Sequence, residues 1–181
     1  MNILGIIASS KFGDVGDFES IATVTVGSGG ASDVQFTSIP ATFTHLQVRF
    51  IGAVSVNTGN ITLQFNSDTG SNYKTHSLYG DGSSPSSFVP SNSGTSLSVG
   101  YNGATANFGG GVVDILDYAN TNKYKTTRAL QGIDRNGSGD ISFNSGLWMS
   151  TSAITSIKFI PQNSGTWNQY SHFALYGIRS A

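Results

Sequence analysis

The chain has 181 residues, of which 10% are charged, and its formal net charge is -1. That length suits one domain with a full core, with or without a short arm, and is too short for two ordinary domains. So little charge leaves no electrostatic footprint for nucleic acid or an anionic membrane surface, and no apolar run approaches membrane-spanning length.

A hydrophobic fraction of 38% is too high for a disordered chain of low charge. The 23 glycines, with Ser, Thr and Asn at most polar positions, suit a turn-rich β-protein. A surface so poor in Lys and Glu is weakly defended against association, which points to a life inside an assembly. Cysteine is absent, so neither disulfides nor thiolate metal sites hold the fold.

Residues 1–18 read as an arm. Its apolar run, with Ile3, Leu4, Ile6 and Ile7, lacks the basic flank of a signal peptide and is followed by Phe12. Such a segment either adds an edge strand to its own sheet or docks on another subunit. Residues 19–181 form the body. From Ser20 the pattern has period two through Val26, and Gly27 to Gly30 make a turn before Val34-Gln35-Phe36, a predicted hairpin.

Pro40 ends that strand. His45 to Ile51 follow with Leu46, Val48 and Phe50 on one face, then a turn at Asn57 to Asn60 leads into Ile61, Leu63 and Phe65. Residues 66–99 are the least regular stretch, with a short helix or strand at Tyr73 to Tyr79 and a strand at Leu97 to Tyr101. Gly109 to Tyr118, Tyr124 to Ile133 and Ile141 to Trp148 supply further strands. The stretch Ala153 to Ile178 reads as a closing β-hairpin, with Ile154, Ile157, Phe159, Phe173, Leu175 and Ile178 as core candidates. Strict alternation sets Ile154 and Ile157 on opposite faces, which asks for a bulge or two-sided burial. About eight to ten short strands without a long helix give an all-β fold, an antiparallel jelly-roll-like β-sandwich.

Candidate chemistry is sparse. Asp134 to Ser145 imitates a calcium loop, with oxygen-bearing residues at alternate places and a central glycine, but Ser145 stands where a bidentate Glu belongs. A hairpin turn built on Asn136-Gly137 explains the same letters. His45, His76 and His172 lack neighbours at metal-ligand spacing, and His45 and His172 alternate with core residues, which sets them on outer faces.

The runs Gly27 to Gly30 and Gly109 to Gly111 lack the lysine and helix of a phosphate cradle and read as turns or bulges. No G-x-S-x-G elbow occurs. Asp114 and Asp117 are the first acids to test as a glycosidase couple, without any clear pairing. The expectation is therefore no catalytic residue, no metal and no cofactor. Tyr73, Tyr79, Tyr101, Trp167 and Tyr170 fall in loops or at strand ends, where aromatic rings either stack on a glycan, anchor a partner or cap the core.

Four stretches carry a resemblance: Phe18 to Gly30, Phe36 to Arg49, Ala153 to Ile157, and Phe173 to Ile178. They resemble small β-rich virion proteins of tailed bacteriophages, notably phages of aquatic bacteria. The likeness spans both ends of the body, is weak in its middle, and rests on structural rather than catalytic motifs. It implies a non-enzymatic protein of the virion: a capsid decoration or cement protein, a head fibre, or a tail-fibre module; the competing expectation, from Trp167, Tyr170 and the nearby loop aromatics, is a module that reads a host surface glycan. The resemblance also implies homo-oligomers, commonly trimers, bound to capsid or tail subunits. The small size and missing fibrous stalk favour decoration.

Overall fold

A computed structural model describes residues 17–56, 59–90, 94–102 and 107–179, with backbone only at 59, 101 and 102. The proposed docking residues Ile3, Leu4, Ile6, Ile7 and Phe12 lie outside the described residues. Among the described residues twelve strands run in chain order: β1 Phe18–Thr25, β2 Val34–Phe36, β3 His45–Gly52, β4 Gly59–Phe65, β5 Tyr73–Gly80, β6 Pro85–Phe88, β7 Leu97–Asn102, β8 Gly109–Leu116, β9 Lys125–Asp134, β10 Gly139–Trp148, β11 Ile157–Pro161 and β12 His172–Ile178. No helix occurs among the described residues, and the 73–79 stretch resolves as strand β5.

All strand pairs are antiparallel. An eight-stranded sheet has the order β1-β12-β3-β8-β9-β10-β5-β6, and a four-stranded sheet the order β2-β11-β4-β7. The two pack as a sandwich. Phe50 and Phe173 stack from the larger sheet at 5.5 Å, and Phe159 of the smaller sheet tilts against both, 6.0 and 5.4 Å away. A second aromatic cluster joins Phe65 of the smaller sheet to Tyr73 and Trp148 of the larger. Period-two burial along β3 and β9 is the expected signature of a sheet with one face on this core.

Two predicted hairpins are not hairpins. β11 and β12 belong to different sheets, and so do β1 and β2. Each intervening segment turns a corner of the sandwich instead. Trp167 is the pin of that corner: its backbone exchanges hydrogen bonds with Ala31 and it bridges Val54, so the segments after β1, β3 and β11 converge on one fully buried side chain. Its indole donates to the Phe159 carbonyl at 3.3 Å, and its ring meets Phe173 edge-on. Gly52 lies beneath, where a Cβ would fall 2.9 Å from the indole. Tyr118 does the same work at the other end. Its hydroxyl donates to the Pro40 carbonyl, and its carbonyl receives the Ile154 N–H.

Ile154 is buried in that end connection ahead of β11, so no bulge is needed between it and Ile157. Ile157, Phe159, Phe173 and Leu175 are core as expected, whereas Ile178 is half-buried. Register shifts lie instead in β1 between Ser20 and Ala22 and in the β4–β7 pair between Ile61 and Thr62. The Gly27 to Gly30 turn forms as predicted, with Gly29 and Gly30 at positive φ. Gly109 to Gly111 is instead the regular start of β8, and Gly111 leaves room for the Phe50 ring, which a Cβ would meet at 2.5 Å.

Candidate functional site

The larger sheet overruns the smaller one. β7, the last strand of the smaller sheet, packs over β9 and β10, and β5 and β6 continue past it. On these outer strands the two faces carry the opposite of what a sandwich usually shows. The inward side chains Ser77, Asp140, Ser142 and Asn144 are polar and less than 10% exposed, while the outward Leu78, Ile141 and Phe143 are apolar and 55%, 57% and 44% exposed.

Register produces this inversion. The β9–β10 hairpin closes on Arg135 to Ser138, with Asn136 and Gly137 at positive φ, the mirror-image turn that suits a twisted hairpin. Trp148, at the far end of β10, enters the core opposite Lys125. With both ends fixed, even-numbered residues of β10 must point inward, so Ile141 and Phe143 point out. The same turn accounts for the calcium-like letters: the Asp134 carboxylate accepts the Asn136 N–H at 2.7 Å, and Asp140 is engaged by Arg135 and Tyr79.

On the outer face, cross-strand pairing sets Arg49, Val112, Leu130, Phe143 and Leu78 in one row over five adjacent strands. The next row reads Ile51, Gly110, Gly132, Ile141 and Gly80. The glycines leave hollows on either side of the Ile141 knob, one of about 370 Å³ beside Arg49 and Val112 and one of about 250 Å³ beside Leu78 and Phe143. Leu130 is 47% exposed, so the belt is an apolar surface with relief. At its end the Arg49 guanidinium lies over the rings of Phe18 and Tyr176.

On the inner face, where β10, β5 and β6 project past the β4 and β7 edge, lies a cleft of about 360 Å³ lined by Asn60, Tyr79, Phe88, Gly100, Ser142 and Asn144. Ser77 Oγ donates to Asn144 Oδ1, and Asn144 Nδ2 donates to Ser142 Oγ at 3.2 Å, which fixes the amide. Tyr79 and Phe88 meet edge-on at 6.5 Å.

Of the four aromatic candidates whose side chains are described, the structure brings only Tyr79 into this cleft. Tyr73 and Trp167 are fully buried core residues, so for these two the structure takes the core-capping alternative and not the contact role. Tyr73 uses its hydroxyl within its own loop, accepting the Phe65 N–H at 3.0 Å, and burial pushes its pKa up to about 12. Tyr170 is 69% exposed but stands on the corner loop away from the cleft lining. Tyr101 pairs with Asn60 through the backbone, and its side chain lies outside the described residues.

The acids do not form a couple. Asp114 accepts the Gln47 amide at 2.7 Å, and Asp117 pairs with Lys123, whose hydrogen bond holds the carboxyl below the usual carboxylate range. His45 and His172 are half-buried on outer positions; His172 shares a 2.8 Å hydrogen bond with Thr25. Among the described residues no three His, Asp or Glu gather as metal ligands, and no helix is long and apolar enough to cross a membrane. Sequence reading missed Leu78, Phe88, Leu130, Ile141, Phe143, Ser142 and Asn144. Their types were visible, but which way each strand faced was not. No protein family, no curated protein and no solved structure matches the chain.

Proposed function

We propose that this chain is a non-enzymatic structural subunit of a tailed-phage virion, a capsid decoration protein that works by covering and being covered. The observation that carries the assembly part is the belt of Leu78, Leu130, Ile141 and Phe143, each about half exposed and contiguous on one sheet face. A contiguous apolar surface in a chain this poor in charge marks a contact with a partner. The virion part rests on the resemblance of the two ends of the body to phage proteins.

The occupant of the belt is a neighbouring copy of the same chain, in a homo-oligomer such as a trimer, with capsid subunits as further partners. The strand order fits such a module. β1 to β4 pair in sequence with β12, β11, β8 and β7, and an antiparallel ribbon of that kind, rolled up, is a jelly roll. On this reading the hairpins β5–β6 and β9–β10 are insertions that widen one sheet and create the belt.

Antibody labelling of intact particles, with copy number by quantitative mass spectrometry, tests the assignment. Many copies distributed over the head are expected. A few copies at the tail would move the protein to the tail-fibre class, and absence from the particle would sink the virion reading.

A further inference from the structure

We propose that the cleft between the inner face of β10, β5 and β6 and the edge of the smaller sheet binds a neutral saccharide. This does not rest on the assembly reading, because it uses the opposite face of the same strands. The starting point is that Ser77, Ser142 and Asn144 are 5%, 5% and 2% exposed where a sandwich would set aliphatic side chains. Withdrawing hydroxyls and an amide from water is unfavourable unless they find hydrogen-bond partners. Here they bind each other in a chain that leaves capacity for one more molecule: Asn144 Nδ2 carries a second hydrogen and the Ser142 hydroxyl its own proton.

The remaining walls fit the rest of a sugar. Phe88 is 45% exposed and forms with Tyr79 an apolar wall beside the polar floor, which suits a pyranose with hydroxyls at its rim and C–H bonds on its face. Asn60 adds an amide from the opposite sheet. The volume of about 360 Å³ falls at the lower end of small-molecule sites, about 300–1,000 Å³, so the cleft takes the end of a glycan.

Charge decides the class. Among the described residues no lining side chain is ionisable near neutral pH, and the neighbouring Asp140 carboxylate is already held by the Arg135 guanidinium and the Tyr79 hydroxyl. A sialylated, uronic or phosphorylated sugar would enter without a cation to meet it. A neutral one leaves nothing unpaired.

The test is a defined glycan array carrying neutral and acidic oligosaccharides, followed by calorimetric titration of the full chain with the best neutral hit. Binding to at least one neutral glycan is expected, at least tenfold weaker in Phe88→Ala, whose thermal midpoint stays close to that of the parent, and in Ser142→Ala, whose midpoint falls because the buried Asn144 amide loses its acceptor while unfolding stays cooperative. The pair Leu130→Thr with Phe143→Thr, on the opposite face, should bind equally well. Binding to no glycan, binding confined to acidic glycans, or a neutral hit unaffected by Phe88→Ala and Ser142→Ala overturns the proposal.

Discussion

Replacing Leu130 and Phe143 together by threonine probes the outer belt at its centre. The two are directly opposed on β9 and β10 and are 47% and 44% exposed. Full burial of such a side chain contributes about 1.5–3 kcal/mol, so roughly half of that, about 1 kcal/mol each, remains to be gained when a neighbour covers them. The pair therefore contributes about 2 kcal/mol per subunit, or about 4 kcal/mol where two belts meet, which corresponds to two to three decades in dissociation constant. Threonine keeps the β-branched shape that strands favour, and the loss of one cross-strand apolar pair costs the fold only about 0.2–1 kcal/mol. Sedimentation velocity across a micromolar dilution series, with thermal unfolding alongside, reads both quantities. The expected result is a parent chain that self-associates and a variant that stays monomeric with a nearly unchanged midpoint. A parent that is monomeric throughout, or a variant that associates equally well, would falsify the assignment of this face to a second copy.

Two other consequences concern the core. Trp167→Ala removes the pin of three converging segments and should cost about 3–5 kcal/mol, a large part of the 5–15 kcal/mol typical of a domain; a urea unfolding curve displaced by under about 1 kcal/mol would show that the corner does not depend on it. For Tyr73, burial pushes the folded pKa up to about 12, above the usual tyrosine value of about 10, so the folded state resists ionisation. Its contribution is fully present below pH 10 and is lost at about 1.4 kcal/mol per pH unit as pH rises towards 12. Tyr118, also raised by burial, adds in the same direction. Urea midpoints measured through this alkaline range should fall in the parent and fall less steeply in Tyr73→Phe; parallel curves would remove Tyr73 as the cause.

The sequence by itself determined the strands. Alternation in His45 to Ile51 and in Lys125 to Ile133 marks extended segments with two unlike faces, and Asn136-Gly137 fixes a hairpin because few other residue pairs accept its backbone angles. It also showed an all-β chain poor in charge. Which strand pairs with which was decided elsewhere. Ile157 to Pro161 and His172 to Ile178 are neighbours in sequence yet lie in different sheets, because pairing follows contacts such as Phe159 with Leu63 and Phe173 with Phe50, far apart along the chain.

Direction of burial was equally hidden. Period two separates Ile141 and Phe143 from Ser142 and Asn144, but it carries no sign, and hydropathy alone would turn the apolar pair inward. Only the register set by the turn and by Trp148, together with a smaller sheet too narrow to cover β5 and β6, turns that pair outward and leaves the polar residues lining a cleft. The aromatic residues follow the same logic. The sequence left Tyr73 and Trp167 open between surface contact and core capping; the structure buries both, Trp167 where three distant segments converge on it, whereas Phe88 and Leu78 are presented by outer strands that nothing in the chain's own described fold covers.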